Sequence, residues 1–182
     1  VDPAKLPPKD WALGKQDGRP RRVVRSYDLR PGYMEKHVWK LMEKYKKIEE
    51  NEVRYEATMV DDADILIVAY GTCSRISKAA MLLGRKENLK IGLLRPITLW
   101  PFPMKVLGDL ASKIKKILVV EMSAGQMIED VRLAVRDRIP VKFLGRMGGM
   151  VPTVEEVLSA MEKLWKEVGC EQEAEKLSTS YS

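Results

Sequence analysis

Between residues 64 and 164 the hydrophobic positions alternate between two kinds of run. Continuous apolar runs occupy 65–70 and 117–120, and mostly apolar runs occupy 89–94 and 141–144. Each ends at a polar or glycine-bearing turn: Gly71-Thr72-Cys73-Ser74, Arg95-Pro96, Glu121-Met122-Ser123-Ala124-Gly125-Gln126 and Gly145-Arg146-Met147-Gly148-Gly149. The intervening segments carry apolar residues three and four positions apart. A short run that is apolar on both faces is one buried on both faces, so the alternation predicts a mostly parallel sheet covered by helices on each side. In such sheets ligands and partners meet the strand ends, which makes the four turns the places to look for function.

The helical stretches are predicted at about 75–84, 104–114 and up to 136, followed by a last helix after Pro152-Thr153. Thr153 is placed to cap that helix, Glu155 and Glu156 suit its positive end, and Val154, Val157, Leu158, Met161, Leu164 and Trp165 define its inward face. Upstream, Met34, Val38, Leu41, Met42, Tyr45 and Ile48 fall at helical spacing, with Lys and Glu on the other face. Residues 51–60 read equally as a strand or a helical extension. The chain thus divides into an extended linker or arm (1–32), a helical lead-in (33–60), a three-layer α/β domain (61–168) and a polar tail (169–182), the last expected to fray after Gly169.

Composition narrows the field. With 182 residues the chain has room for a real core without disulfides or metal. No apolar run approaches the roughly 18 residues that a membrane span needs, and no signal-peptide h-region opens the sequence, so the expectation is no membrane and a cytoplasmic location. Cys73 and Cys170 are far apart and His37 is the single histidine. That excludes a disulfide framework and leaves no Cys-x-x-Cys or zinc ligand set in this chain. The chain starts at Val1 with no initiator Met, which reads as a fragment. The arm is rich in Pro, Gly and charge, and its Trp11 reads as an anchor on a neighbouring surface or on this same domain. Arg19, Arg21, Arg22, Arg25 and Arg30, interleaved with Tyr27 and Tyr33, raise the question of phosphates, which the net charge of +6 would favour. No nucleic-acid-binding fold accompanies them, so the stretch reads as a solvated face or one that meets acidic partner surfaces.

The turns hold the candidate chemistry. Gly71-Thr72-Cys73-Ser74 opens a helix, with Ser74 as a possible cap and backbone amides available to an anion. It has one glycine, no dinucleotide-type glycine spacing and no P-loop lysine, so capping and packing are the leading reading and Arg75 is left pointing to a partner. Cys73 reads as a small packed residue. Pro96, Pro101 and Pro103 make 95–103 a stiff crossing, with Trp100 and Phe102 against the sheet and Arg95 at a strand end where a carboxylate can meet it. The third turn is the strongest interaction candidate: Glu121 ends a buried strand, Ser123 and Gln126 carry hydrogen-bonding side chains, and Gly125 permits close backbone approach. Either Glu121 pairs with Arg95 or Arg146 inside the domain while Ser123 caps, or the turn serves a subunit interface near an active site.

The segments DDADILIVAYGTCSR, LLRPITLWPFP, ILVVEMSAGQM and FLGRMGGMVPT, in this order and spacing, resemble the transketolase carboxy-terminal-type domain of a 2-oxoacid:ferredoxin oxidoreductase alpha subunit, in its 2-oxoisovalerate or 2-oxoglutarate branch. The resemblance covers roughly residues 55–165. It implies a Rossmann-like three-layer domain of an enzyme that oxidatively decarboxylates a 2-oxoacid to an acyl-CoA with reduction of ferredoxin. Thiamine diphosphate, Mg2+, iron-sulfur clusters and CoA are implied for the whole enzyme and none for this chain, which has no Gly-Asp-Gly segment of the thiamine type and no cluster cysteines. The implied partners are the other subunits or domains and, through them, ferredoxin. On this reading the chain supports assembly and is inactive alone, with Arg75, Arg95, Glu121, Ser123, Gly125, Gln126 and Arg146 facing an interface or the substrate approach. The competing reading is a stand-alone α/β module that binds a small molecule or an anion.

Overall fold

The computed structural model describes residues 1–9, 12–13, 18, 21–23, 27–136 and 138–180, with side chains up to residue 169. Trp11, Arg19 and Arg25 lie outside the described residues. The chain forms two compact units, Val1–Lys47 and Ile48–Ser182. In the first, Asp2 caps a 3-10 turn at Pro3–Lys5. Arg30 is engaged locally: it pairs with Asp28 at 2.6 Å and stacks 3.9 Å above the Tyr33 ring. That guanidinium holds the Asp28 carboxyl down at about 2. Helix α1 (Tyr33–Asn51) starts in this unit, and none of its residues is fully buried.

The second unit holds β1 (Tyr55–Thr58), β2 (Ile65–Ala69), α2 (Gly71–Lys86), β3 (Ile91–Pro96), α3 (Met104–Leu110), β4 (Lys116–Glu121), α4 (Met127–Val135), β5 (Val141–Gly145) and α5 (Val154–Ser180). They build one five-stranded sheet in the order β1-β3-β2-β4-β5, parallel except for β1, which runs antiparallel along β3. The segment that the sequence left open between strand and helix is therefore an edge strand, with Glu56 opposite Arg95. Every residue of β2 and β4 is buried. One face of the sheet packs through Leu66, Val68, Ile117 and Val119 onto α3 and α4; the other packs through Ile65, Ile67, Leu118 and Val120 onto α2 and α5. The expected three-layer α/β architecture is present. No described helix is long and apolar enough to cross a membrane.

Polar anchors fasten the layers. Arg85, near the end of α2, donates to both Asp62 oxygens at 2.7 and 2.8 Å and also to the carbonyls of Met59 and Ile91. Its guanidinium holds the Asp62 carboxyl below the usual range. Lys116, buried at the start of β4, pairs with Glu167 of α5 at 2.9 Å. Three elements depart from expectation. Helix α2 begins at Gly71, and Ser74 does not cap it: the Ser74 hydroxyl donates back to the Gly71 carbonyl at 2.9 Å. Helix α5 continues past Gly169 to Ser180. A single helical glycine costs only about 1 kcal/mol relative to alanine, and the following Glu, Gln, Ala, Lys and Leu residues are good helix formers. In the 95–103 crossing Phe102 is buried at 8% exposure, as expected, whereas Trp100 stays 55% exposed next to a cis Trp100–Pro101 bond.

A Cβ added to Gly145 would sit 2.5 Å from the Phe143 ring and 2.7 Å from the Ser123 carbonyl oxygen. Gly145→Ala is expected to cost about 1–3 kcal/mol by overpacking. Urea unfolding measures this, and a loss below about 0.5 kcal/mol, the range of a neutral surface change, would contradict the close approach of β5 to the third turn.

Candidate functional site at the strand ends

The chain passes from β2 to β3 on one side and then crosses back beyond β2 to β4. The reversal lies between β2 and β4, so the ends of these two strands flank the topological switch point, the usual binding position in such sheets. Tyr70 and Gly71 stand at one end, Glu121 and Met122 at the other.

Glu121 is fully buried. Its Oε2 accepts from the Ser123 hydroxyl at 3.0 Å, from Gln126 N at 3.2 Å and from Met127 N at 3.0 Å, and its Oε1 accepts from Ile128 N at 3.0 Å. The carboxylate therefore caps α4 from the preceding strand, meeting the amides that a helix start leaves unsatisfied and the positive end of the helix dipole. It pairs with neither Arg95 nor Arg146, the partners that the sequence suggested. Arg95 pairs across the sheet edge with Glu56 at 3.0 Å, and Arg146 is engaged with Glu156 on α5. The physical reason is proximity: the first turn of α4 follows β4 directly and brings its amides to the carboxylate before any side chain from another strand can reach it.

The remaining turn residues arrange themselves around this cap. Ser123 does not cap α4; it donates to Glu121 and accepts from Gly125 N at 3.1 Å, which closes the turn on itself. Gly125 adopts φ +109, and a Cβ there would meet Ile128 at 3.2 Å and the Phe143 ring at 3.6 Å. Its missing side chain thus makes room for β5 of the same domain. Gln126 keeps its side chain exposed. Arg146 N donates to the Glu121 carbonyl, which joins the third and fourth turns. The buried negative charge is felt by its neighbours. Burial first, and then Glu121, pushes the Tyr70 hydroxyl, the Cys73 thiol and the Asp130 carboxyl above their ordinary values. Cys73, buried and held protonated, is a packed residue and not an activated nucleophile.

Arg75 and Arg95 come together elsewhere. With Glu56, Thr58, Gly71, Ser74, Lys78 and Leu93 they line a notch of about 170 Å³ between α2 and the β1–β3 edge. Sequence reasoning missed Lys78 and Glu56; their signal, a basic pair three residues apart on one helix and a carboxylate in an undecided segment, needed the register of β1 to acquire meaning. It also missed a larger depression of about 730 Å³ lined by Tyr55, Trp100, Phe102, Met104 and Asp130, among others. Among the described residues no three His, Cys, Asp or Glu side chains converge into a metal-binding set.

Residues 63–157 match the family model described as pyruvate:ferredoxin oxidoreductase core domain II. The chain is 42% identical over 158 residues to the ketoisovalerate oxidoreductase subunit VorB of Methanothermobacter thermautotrophicus, covering 87% of this chain and 45% of that protein. To the 2-oxoglutarate synthase subunit KorA of Methanothermobacter marburgensis it is 33% identical over 125 residues, which is 69% of this chain and 33% of that one. The chain thus spans under half the length of these curated relatives. Among solved structures it resembles a 2-oxoglutarate:ferredoxin oxidoreductase from Magnetococcus marinus with 2-oxoglutarate, coenzyme A and succinyl-CoA bound, at a TM-score of 0.63 and 21% identity, over 76% of this chain and 24% of that one. That likeness establishes the fold.

Replacing Glu121 tests the cap. Glu121→Ala strands the amides of Gln126, Met127 and Ile128 and is expected to cost about 3 kcal/mol. Glu121→Gln keeps one acceptor oxygen, so roughly half that loss is expected. Denaturant midpoints read both, and a loss under about 1 kcal/mol for the alanine variant, less than a typical cap is worth, would show that water substitutes for the carboxylate.

Proposed function

The chain belongs to the pyruvate:ferredoxin oxidoreductase core domain II family, and from that premise we propose that it supplies core domain II of an alpha-type subunit in a 2-oxoacid:ferredoxin oxidoreductase, with 2-oxoisovalerate as the substrate. The observation that carries the substrate choice is the 42% identity to a ketoisovalerate oxidoreductase subunit, against 33% to a 2-oxoglutarate synthase subunit. The reaction breaks the bond between C1 and C2 of the 2-oxoacid and joins the acyl carbon to the CoA sulfur. It releases CO2, one proton and two electrons, and the electrons pass to ferredoxin. Thiamine diphosphate, when bound by the assembled enzyme, would supply the electron sink for that cleavage.

This chain's sequence carries no Gly-Asp-Gly segment and no Cys-x-x-Cys pair. Its part in the enzyme is architectural. The sheet is rigid through its buried central strands, and Glu121 holds the third turn in one shape, so the turn presents Gln126 outward at a strand end. We assign Gln126 and its neighbours Ser123, Gly125 and Arg146 to an interface with other subunits or domains of the enzyme. The reading places the protein in the cytoplasm, where the partner subunits and ferredoxin would be.

Purification of the chain from its source with associated proteins retained is expected to yield thiamine- and cluster-bearing subunits and acceptor reduction that depends on a 2-oxoacid and CoA, faster with 2-oxoisovalerate than with 2-oxoglutarate. Turnover by this polypeptide with no other subunit would overturn the proposal, and a preference for 2-oxoglutarate would overturn the substrate assignment. Gln126→Lys adds a charge to an exposed position, and its effect on stability is expected to stay within about 0.5 kcal/mol. The same change is expected to lower recovery of the partner subunits; recovery equal to that of the unchanged protein would remove Gln126 from the interface.

A further inference from the structure

We infer that the notch between α2 and the β1–β3 edge binds a phosphoryl group. This goes beyond the family reading and does not rest on it. The notch collects Arg75, Lys78 and Arg95 around a volume of about 170 Å³, with Glu56 the one carboxylate in its wall. Three cations against one anion leave two positive charges concentrated over a small concave surface. Arg95 and Glu56 engage each other at 3.0 Å. Arg75 and Lys78 have no hydrogen-bond or ion-pair partner among the described residues, whereas Arg85, Arg132, Arg138 and Arg146 all do.

The geometry follows from the fold. Residues 75 and 78 are three apart on α2, so both side chains leave the helix on one side. The antiparallel edge strand β1 places Glu56 and Thr58 beside Arg95 and Leu93 of β3, opposite that helix side. The wall also includes Gly71, the first residue of a helix of 16 residues, whose preceding residue Tyr70 supplies no side-chain cap. The dipole of α2 therefore adds to the field of the three side chains.

Size and charge identify the ligand class. Sites for whole small molecules occupy about 300–1,000 Å³, so this one holds a single group and not an entire nucleotide. A phosphate monoester carries about −1.5 to −2 charge at pH 7, which matches the two uncompensated cations, while a carboxylate would leave one of them unmet. Arginine also offers a planar fork of donors suited to phosphate oxygens. The group is either free phosphate or the terminal phosphate of a larger molecule that lies outside the notch.

Isothermal titration of the full chain at low ionic strength, with inorganic phosphate, adenosine 5′-monophosphate and acetate as probes, tests the assignment. Phosphate or the monophosphate is expected to bind saturably at one site and more tightly than acetate. The double variant Arg75→Ala/Lys78→Ala is expected to weaken that binding about tenfold or more, as loss of charge-assisted hydrogen bonds does. Lys163→Ala, an exposed change on α5, is expected to leave it unaltered. Glu56→Gln is expected to tighten it, a gain that misfolding does not produce. Tighter binding of the monophosphate than of phosphate identifies a carried group, and the reverse order identifies the free anion; either sustains the site. Absence of saturable binding by both phosphates, equal affinity for acetate, or an equal loss in Lys163→Ala would overturn it.

Discussion

Strands buried on both faces constrain everything else in the second unit. β2 and β4 expose no residue, so helices have to cover the sheet on each side, and the chain has to cross over after every parallel strand. With α2 and α5 on one face and α3 and α4 on the other, one reversal of direction is forced between β2 and β4. All the βα turns then lie along the same edge of the sheet. The gathering of Gly71, Arg95, Glu121 and Gly145 at one edge is thus a consequence of core burial and not of any attraction among them.

At that edge the backbone takes the largest electrostatic role. A buried carboxylate without partners is costly, and Glu121 is accommodated by three peptide N–H groups and one hydroxyl with no cation among its described partners. The same residue that ends a strand thereby starts a helix, and the turn between them is held in one conformation. The result links stability to the proposed interface, because the outward position of Gln126 depends on an inward hydrogen-bond set two to seven residues long in sequence. Its charge adds to the larger effect of burial in raising the Tyr70 hydroxyl and the Cys73 thiol above their ordinary values.

The ion pairs show how the tertiary structure redistributes charges that look alike in sequence. Arg85 grips Asp62 and two carbonyls and locks the end of α2 to the loop before β2. Arg146 is held by Glu156, which also accepts from Thr153 N while Thr153 Oγ1 accepts from Glu156 N, so the cap expected from Thr153 is made reciprocal by Glu156. Arg95 is held by Glu56. Arg75 and Lys78 have no such engagement among the described residues, and they face a concave surface where a third cation, Arg95, already stands.

The strand-helix rhythm, the three layers and the third and fourth turns were legible in the sequence, because double-sided burial demands apolar runs and helical burial demands three- and four-residue spacing. The turns at 121–126 and 145–149 were legible for the same reason, since a chain can leave a sheet only where the apolar run stops, whereas residues 71–74 already form the first turn of α2. What those residues do was decided by the tertiary structure. The partner of Glu121 depended on how soon α4 starts after β4, the partner of Arg95 on the antiparallel register of β1, and the role of Gly125 and Gly145 on the approach of Phe143. Burial is a property of each residue and leaves a mark in local sequence. Pairing is a property of two distant residues and of the path between them, and it exists only once the sheet order has brought them together.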